Sequence, residues 1–419
     1  MSATPLSLHA PHFAALPPLA LYVHIPWCLK KCPYCDFNSH ERRGEIPQAR
    51  YVDALLADLE LALPGIWGRR VHTVFFGGGT PSLFAPEAID RILAGVRSRV
   101  PLAPDAEITL EANPGTFERA RFAGFRAAGI NRLSVGVQSF EPKFLHALGR
   151  VHDADEARAA AAAAIEIFGN VNLDLMYALP GQTPADAQSD LAQALRFSPP
   201  HLSFYHLTIE PNTLFHRYPP SLPDDETAAD IEDAIAATLG AAGYLHYETS
   251  AYARPGHECR HNLNYWRFGD YLGIGAGAHS KLSFPERVVR QVRHKQPQQY
   301  MEEVERGSPL AEDRTVERGE IGFEFMLNAL RLTDGVPVAL FAERTGFALT
   351  LVQKGLDEAE RRGLIERDHQ RMRPTPLGQR FLNDLQAIFL PAAAAVAAET
   401  VARPIKLVRA KPGRQRRIR

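Results

Sequence analysis

Cysteine is scarce in this 419-residue chain: Cys28, Cys32, Cys35 and Cys259 are the only four. So few in so long a chain exclude a disulfide scaffold, and clustered thiols favour a metal role in a reducing compartment. Long apolar runs are missing too. The Ala-rich stretch 391–398 is too short and too weakly apolar to cross a bilayer. The segment 1–18 lacks the basic start and apolar core of a secretory leader. A cytoplasmic protein is therefore expected. Net charge is close to nil, with 47 Lys and Arg against 48 Asp and Glu. That excludes the broad basic field of a nucleic-acid binder, and no nucleic-acid partner is expected. The local exception is 403–419, rich in Lys and Arg and free of acid. It reads as a solvated tail, with an anionic partner or a peripheral membrane contact as the alternative.

What the chain does contain is a repeat of two periodicities. Apolar, β-branched runs at 19–25, 71–76, 107–111, 132–137, 172–177 and 201–207 read as strands. Between them, 48–63, 86–100, 117–128, 154–168 and 184–197 read as helices. Such βα alternation implies a parallel sheet. Several strand ends carry polar signatures, and function at the C-terminal ends of strands is the rule in β/α barrels. After about residue 213 the pattern changes to a Pro-rich link, a helix over 225–242 and an aromatic, His-rich region. The end of the chain reads as a helix at 337–345, a second at 349–362 and a hairpin at 363–375, the order of a winged helix. The second helix carries Asp357, Glu358 and Glu360, which favours a packing or lid role over DNA binding.

The three clustered cysteines follow the first strand in CxxxCxxC spacing: Cys28, Cys32 and Cys35. Three thiolates can hold three irons of a 4Fe–4S cluster, and since such clusters usually take four thiolates, one iron stays open to another ligand. Zinc is the alternative, but it wants four ligands and His40 or Cys259 would have to complete the set. Gly77-Gly78-Gly79-Thr80-Pro81 follows the second strand. Backbone N–H groups free of side chains can meet a carboxylate there. Tyr34, between two cysteines, can pack on an adenine. Glu111 ends the third strand and suits a ligand amine or ribose. Gln138, Arg150 and Asp174 lie at or just after later strand ends.

These residues carry a family resemblance. Tyr22-x-His24-Ile25-Pro26-x-Cys28-xxx-Cys32-xx-Cys35, the Gly-Gly-Gly-Thr-Pro run, Gly136-Val137-Gln138-Ser139-Phe140 and Leu148-Gly149-Arg150-x-His152 resemble the HemN/HemW branch of the radical S-adenosylmethionine (SAM) superfamily. The resemblance implies an α/β fold: an incomplete (β/α)6 barrel over 19–213 after an extension at 1–18. A barrel extension at 214–314, a mostly helical, winged-helix-like domain at 315–390 and the basic tail at 391–419 complete the expected organisation. It further implies a 4Fe–4S cluster on Cys28, Cys32 and Cys35, with Tyr22 beside SAM and the cluster. Gly78, Gly79 and Thr80 would bind the amino-acid end of SAM, and Glu111, Gln138, Arg150 and Asp174 would contact the rest of it. In such enzymes the reduced cluster gives SAM one electron, and the sulfonium splits to methionine and a 5′-deoxyadenosyl radical.

Two branches share this barrel. Coproporphyrinogen III oxidases resemble CxxxCxxCxC, whereas haem chaperones lack the last cysteine. This chain has Phe37 at that position, the chaperone pattern. His261-Asn262-Leu263-Asn264-Tyr265-Trp266 resembles the haem-binding motif of the same branch. An imidazole can ligate haem iron, and the two aromatics offer flat apolar surface. His261 is thus the expected haem ligand, with Cys259 as a rival and His257 and His279 as weaker ones. The glycines at 273–277 read as a tight turn near the barrel mouth rather than a dinucleotide loop. Expected partners are haem and recipient haem proteins, respiratory and membrane-bound ones among them, and a homodimer.

Overall fold

The computed structural model describes residues 10–115 and 118–391. Strands β1 (Leu19–Ile25), β2 (Val71–Gly78), β3 (Leu102–Ala112), β4 (Arg132–Gln138), β5 (Val171–Tyr177) and β6 (His201–His206) lie side by side in chain order. Every neighbouring pair is parallel. Helices α1 (Gln48–Ile66), α2 (Pro86–Arg99), α3 (Glu118–Ala128), α4 (Ala154–Phe168) and α5 (Pro184–Arg196) connect them. β1 and β5 are buried almost throughout, as strands covered on both faces must be. The helix starts are encoded locally. At α4, the Asp153 carboxylate accepts from the N–H groups of Asp155 and Glu156, and Glu156 accepts from the Asp153 N–H. This reciprocal cap leaves Ala157, Ala160, Ala161 and Ala164 to pack on the sheet.

The chain after 213 widens this sheet. α6 (Asp225–Ala241) packs on α5, and the antiparallel strands β7 (Leu245–Glu248) and β8 (Ala251–Ala253) extend the β6 side. α7 (Arg260–Trp266) then crosses to β9 (Asp270–Ile274), which pairs parallel with β1 on the opposite side. β10 (His279–Phe284), β11 (Arg287–Arg293) and β12 (Leu310–Thr315) follow, each antiparallel to its predecessor. The full order is β12-β11-β10-β9-β1-β2-β3-β4-β5-β6-β8-β7. The sheet is open: β12 and β7 are edges, and the charged, exposed β12 is a poor template for further pairing.

Two buried carboxylates, Asp58 and Asp270, weld the extension to the barrel. Asp58 of α1 meets Arg293 at 3.3 Å and accepts from the Tyr300 hydroxyl at 2.9 Å and the Gly275 N–H at 3.2 Å. Asp270 meets Lys281 at 3.0 Å and Arg69 at 2.8 Å. With further hydrogen bonds at each carboxylate, burial of these charges is compensated. The last domain has its own core around Phe325, Phe341 and Leu356. It contains α8 (Arg318–Ala329), β13 (Val336–Pro337), α9 (Ala339–Thr345), α10 (Gln353–Arg361), β14 (Ile365–Arg367) and β15 (Arg371–Pro374), with sheet order β13-β15-β14. That is the expected winged-helix-like order. Two of the acids on α10's side, Asp357 and Glu360, pair with Arg367 of the hairpin. The basic tail, Pro391 apart, lies outside the described residues.

Candidate functional site

The cysteine loop is anchored at both ends. β1 runs into Pro26, and Trp27–Cys28 pairs in parallel with His40–Glu41, which closes the intervening loop. Trp27 packs its ring on Tyr51 and Phe84, with centroids 4.7 and 6.0 Å away. Inside the loop the Cys35 N–H donates to the Cys32 carbonyl at 3.2 Å. The three cysteines are half-buried free thiols. They line one cavity of about 730 Å³ with Tyr34, Gly78, Gly79, Thr80, Glu111, Gln138, Arg150 and Asp174. The structure therefore brings together all but two of the expected site residues.

Each thiol has its own hydrogen-bonding neighbour. Thr80 Oγ1 lies 3.6 Å from Cys28 Sγ, Arg150 Nη1 lies 3.5 Å from Cys32 Sγ, and Ser39 Oγ lies 3.8 Å from Cys35 Sγ. Two of these donors are joined. Arg150 Nη2 donates to Asn113 Oδ1 at 2.7 Å, and Asn113 Nδ2 donates to Thr80 Oγ1 at 2.9 Å. Arg150 Nε is buried with no partner, a donor still available to a ligand. Burial pushes the Cys28 and Cys35 thiols up, with the hydrogen bonds from Thr80 and Ser39 opposing it. Among the described residues no three His, Cys, Asp or Glu side chains are grouped as ligands of one ion. A cluster takes its thiolates on separate irons and needs no such convergence.

The glycine triplet serves the protein as well as a ligand. Register sets His24 opposite Gly77 and Ile25 opposite Gly78. A Cβ at Gly78, whose φ is +124°, would fall 2.7 Å from the His24 ring, and one at Gly79 would fall 2.7 Å from the Pro26 backbone. Glycine there lets β1 and β2 approach, a constraint separate from leaving N–H groups open. One such N–H, at Gly78, donates to Glu111 Oε2 at 3.3 Å. Burial, and next the nearby Asp174, push the Glu111 carboxyl up to about 8. Asp174 is raised by burial too, although Ser134 and Asn172 donate to it at 2.8 and 2.7 Å. Asp174 also feels the buried Arg132, whereas Glu111 meets another carboxyl, so Glu111 suits a ligand that brings an ammonium group or hydroxyls. Gln138 ends β4 at a bulge with φ +66°, a left-handed conformation that non-glycine residues hold at some cost.

The remaining two residues stand elsewhere. Tyr22 lines a second cavity of about 490 Å³ with Phe37, Tyr265 and Trp266, which meets the first at Phe37, Gly78 and Glu111. The Tyr22 hydroxyl lies 3.1 Å from His24 Nδ1. His261 lines neither cavity. It is 1% exposed, with Nδ1 2.8 Å from Thr73 Oγ1 and Nε2 3.1 Å from the Tyr265 hydroxyl. Its ring stacks on Phe75 at 4.9 Å. The Glu107 carboxylate accepts from the N–H groups of both Arg260 and His261, capping α7. Cys259 is fully buried, its thiol pushed up to about 12 by burial. His257 is exposed but outside both cavities. Asn113 and Ser39 went unrecognised in the sequence. The strand end Glu111-Ala112-Asn113-Pro114 was the available signal for the first; nothing local marked the second.

Comparison with known proteins agrees with this geometry. The family model of the radical SAM superfamily matches residues 22–194, and that of the HemN C-terminal domain matches 316–395. A relative from Escherichia coli, "Heme chaperone HemW", is 50% identical over 377 residues, spanning 90% of this chain and 99% of the relative. The chain belongs to the HemW family. A HemW protein from Haemophilus influenzae is 47% identical over 381 residues, spanning 90% of this chain and 98% of its own. The solved coproporphyrinogen III oxidase (HemN) of Escherichia coli, a radical SAM enzyme, superposes with a TM-score of 0.76 at 26% identity, over 89% of this chain and 90% of the oxidase. As a HemW-family radical SAM protein, this chain has a 4Fe–4S cluster and SAM as its cofactors. The donor set fits them: three half-buried thiols, each with a hydrogen-bonding neighbour, an orphaned Arg150 Nε and adjoining space. No helix among the described residues is long and apolar enough to cross a membrane.

Proposed function

We propose that this protein is a haem chaperone that binds haem beside its cluster and hands it to recipient haem proteins, membrane-bound respiratory ones among them. One observation carries the reading: a cavity of about 490 Å³ walled by Phe37, Tyr265 and Trp266 opens next to the cysteine-lined cavity. Aromatic walls interleaved with polar and charged groups, Lys281 and Arg290 among them, suit a porphyrin with its flat ring and its propionates. The HemW relatives bear the name heme chaperone, and Phe37 stands where the oxidase pattern has a further cysteine. A basic tail at the membrane surface and a homodimer belong to the same proposal.

In this reading Cys28, Cys32 and Cys35 would hold the cluster, and SAM would bind beside it. When bound there, the cluster's chemistry would be one-electron reduction of the SAM sulfonium. Gly78, Gly79 and Thr80 receive the amino-acid end, where Glu111 takes the ammonium. Tyr34, Gln138, Arg150 and Asp174 position the remainder. Tyr22, through His24, keeps the wall between the two cavities in place. Hydrogen bonds to cluster sulfurs favour the reduced state, so Thr80→Val is expected to keep its iron and to move the cluster potential in the negative direction. An unchanged potential in a redox titration would remove Thr80 from this role.

The function itself is tested by titrating haem into metal-free and cluster-loaded protein, alongside an anaerobic assay of coproporphyrinogen III with SAM and reductant. The expected result is saturable haem binding near one per chain and no decarboxylation. Sustained CO2 release, or no haem binding in either form, rejects the chaperone.

A further inference from the structure

We infer that Asn172, His201 and Tyr247 are positioning residues that couple the SAM pocket to helix α7, so that SAM held at Asp174 loosens α7 and lowers the affinity of the aromatic cavity for haem; the haem half of this rests on the haem-chaperone reading. None of the three side chains lines either cavity. All three are buried, Asn172 at 3%, His201 at 1% and Tyr247 at 9% exposure. They act, if at all, through the residues they hold. What they hold is Asp174 at one end and the first turn of α7 at the other.

Strand register builds the relay. Asn172 and Asp174, two apart on β5, share one face of it. Pairing sets Ser134 and His201 beside Asn172, and Ser203 beside Asp174. Asn172 Nδ2 donates to Asp174 Oδ1 at 2.7 Å and to Ser134 Oγ at 2.8 Å. Its Oδ1 is left to accept, so His201 Nδ1, 2.6 Å away, carries a proton and donates it. Burial, and then the charge of Arg132, lower His201 well below its ordinary value, so the ring is neutral. Nε2 is therefore an acceptor, and the Tyr247 hydroxyl donates to it at 2.8 Å. Tyr247 in turn accepts from the Cys259 N–H at 3.2 Å, at the residue that caps α7. Every donor in this series points toward Asp174.

A one-way series of hydrogen bonds polarises its members in the same sense, so each strengthens the next. Its last acceptor, Asp174, lines the cysteine-bearing cavity. A ligand hydroxyl that donates to this carboxylate competes with Asn172, and the loss passes back to the Cys259 N–H. At that end α7 presents Tyr265 and Trp266 to the aromatic cavity. Arg132 adds a second link. It is 2% exposed with its Nε unpartnered, and its charge is felt both by Glu107, which caps α7, and by Asp174. A buried cation shared by two carboxylates responds to a change at either. An apolar lumen would need none of these partners, and a polar one is costly unless its hydrogen bonds are complete.

The test uses the full chain with its cluster, kept free of reductant so that SAM stays whole. Haem is titrated with and without saturating SAM and followed by difference absorption. SAM binding is measured by equilibrium dialysis with and without haem. SAM is expected to raise the haem Kd about fivefold, and haem to raise the SAM Kd by the same factor, as linkage requires. Tyr247→Phe removes one hydroxyl and interrupts the relay, so both factors should fall close to one while both ligands still bind. Ser203→Ala is the control. Its hydroxyl donates to Asn172 Oδ1 at 3.0 Å from the side, so its loss leaves the relay whole and the factors unchanged. A haem Kd that SAM leaves the same or lowers overturns the inference, and this reading needs no variant. So does a full factor in Tyr247→Phe, or a lost one in Ser203→Ala, in protein that melts as a folded chain. If the wild-type chain binds no haem even without SAM, the chaperone reading falls and takes this inference with it.

Discussion

Cys32→Ala is expected to fold normally, to retain almost no iron after anaerobic reconstitution and to lose SAM binding by at least about 100-fold. Three thiolates are the smallest set that leaves a single iron open, and Cys32 is the one that Arg150 Nη1 approaches, at 3.5 Å. Its loss leaves Cys28 and Cys35 alone, and the cavity holds no fourth cysteine, because Cys259 is buried elsewhere against Glu107. Stability should scarcely change. The thiol is half-buried at the cavity wall, outside the packed core, and such positions usually move stability by less than about 0.5 kcal/mol. Iron and sulfide analysis with a thermal melt of the metal-free protein measures both. Full iron content in Cys32→Ala would remove the loop as the cluster site. Cys259→Ala is the control and should keep its cluster.

Glu111→Gln is expected to change two properties in opposite directions. SAM binding should weaken by about tenfold or more, since a charge-assisted bond to a ligand ammonium is lost. The metal-free protein should become more stable at alkaline pH. The sign follows from the raised carboxyl. Folded Glu111 keeps its proton up to about 8, whereas the unfolded chain releases it near the ordinary 4.5. Across that window the unfolded state gives up the proton first, so the contribution of Glu111 to stability falls as pH rises, and it levels off above about 8. Glutamine carries no such cost. The melting temperature of Glu111→Gln should match the wild type near pH 4 and exceed it by about 2 °C or more at pH 9. An offset that stays constant with pH would mean that the carboxyl is not shielded as the structure places it.

Much of the barrel was legible because its signals are local. The run at 19–25 and the helix at 154–168 fall on β1 and α4 without displacement. The apolar periods there are strong, and Asp153 with Glu156 marks the helix start. The strand extension beyond 270 was not legible. β11 mixes arginine and glutamine with valine without a period of two, and β12 is charged and almost wholly exposed. Their strand character comes from pairing with each other and with β10, partners that no local pattern announces. The site divides the same way. Thiol spacing is covalent, so CxxxCxxC is read directly. The burial of His261 depends on Thr73 and Glu107, which are distant in sequence.

The sequence by itself determined the family, the cluster and SAM cofactors, the parallel βα core and the absence of a cysteine at Phe37, because each depends on spacing or periodicity within a few residues. Only the tertiary structure decided that Tyr22 lines a second cavity, that Asn113 joins two of the thiol donors and that both ring nitrogens of His261 are engaged. Whether a nitrogen is free depends on what non-local packing brings to it, and His261 has the two nearest partners that the fold supplies, Thr73 at 2.8 Å and Tyr265 at 3.1 Å.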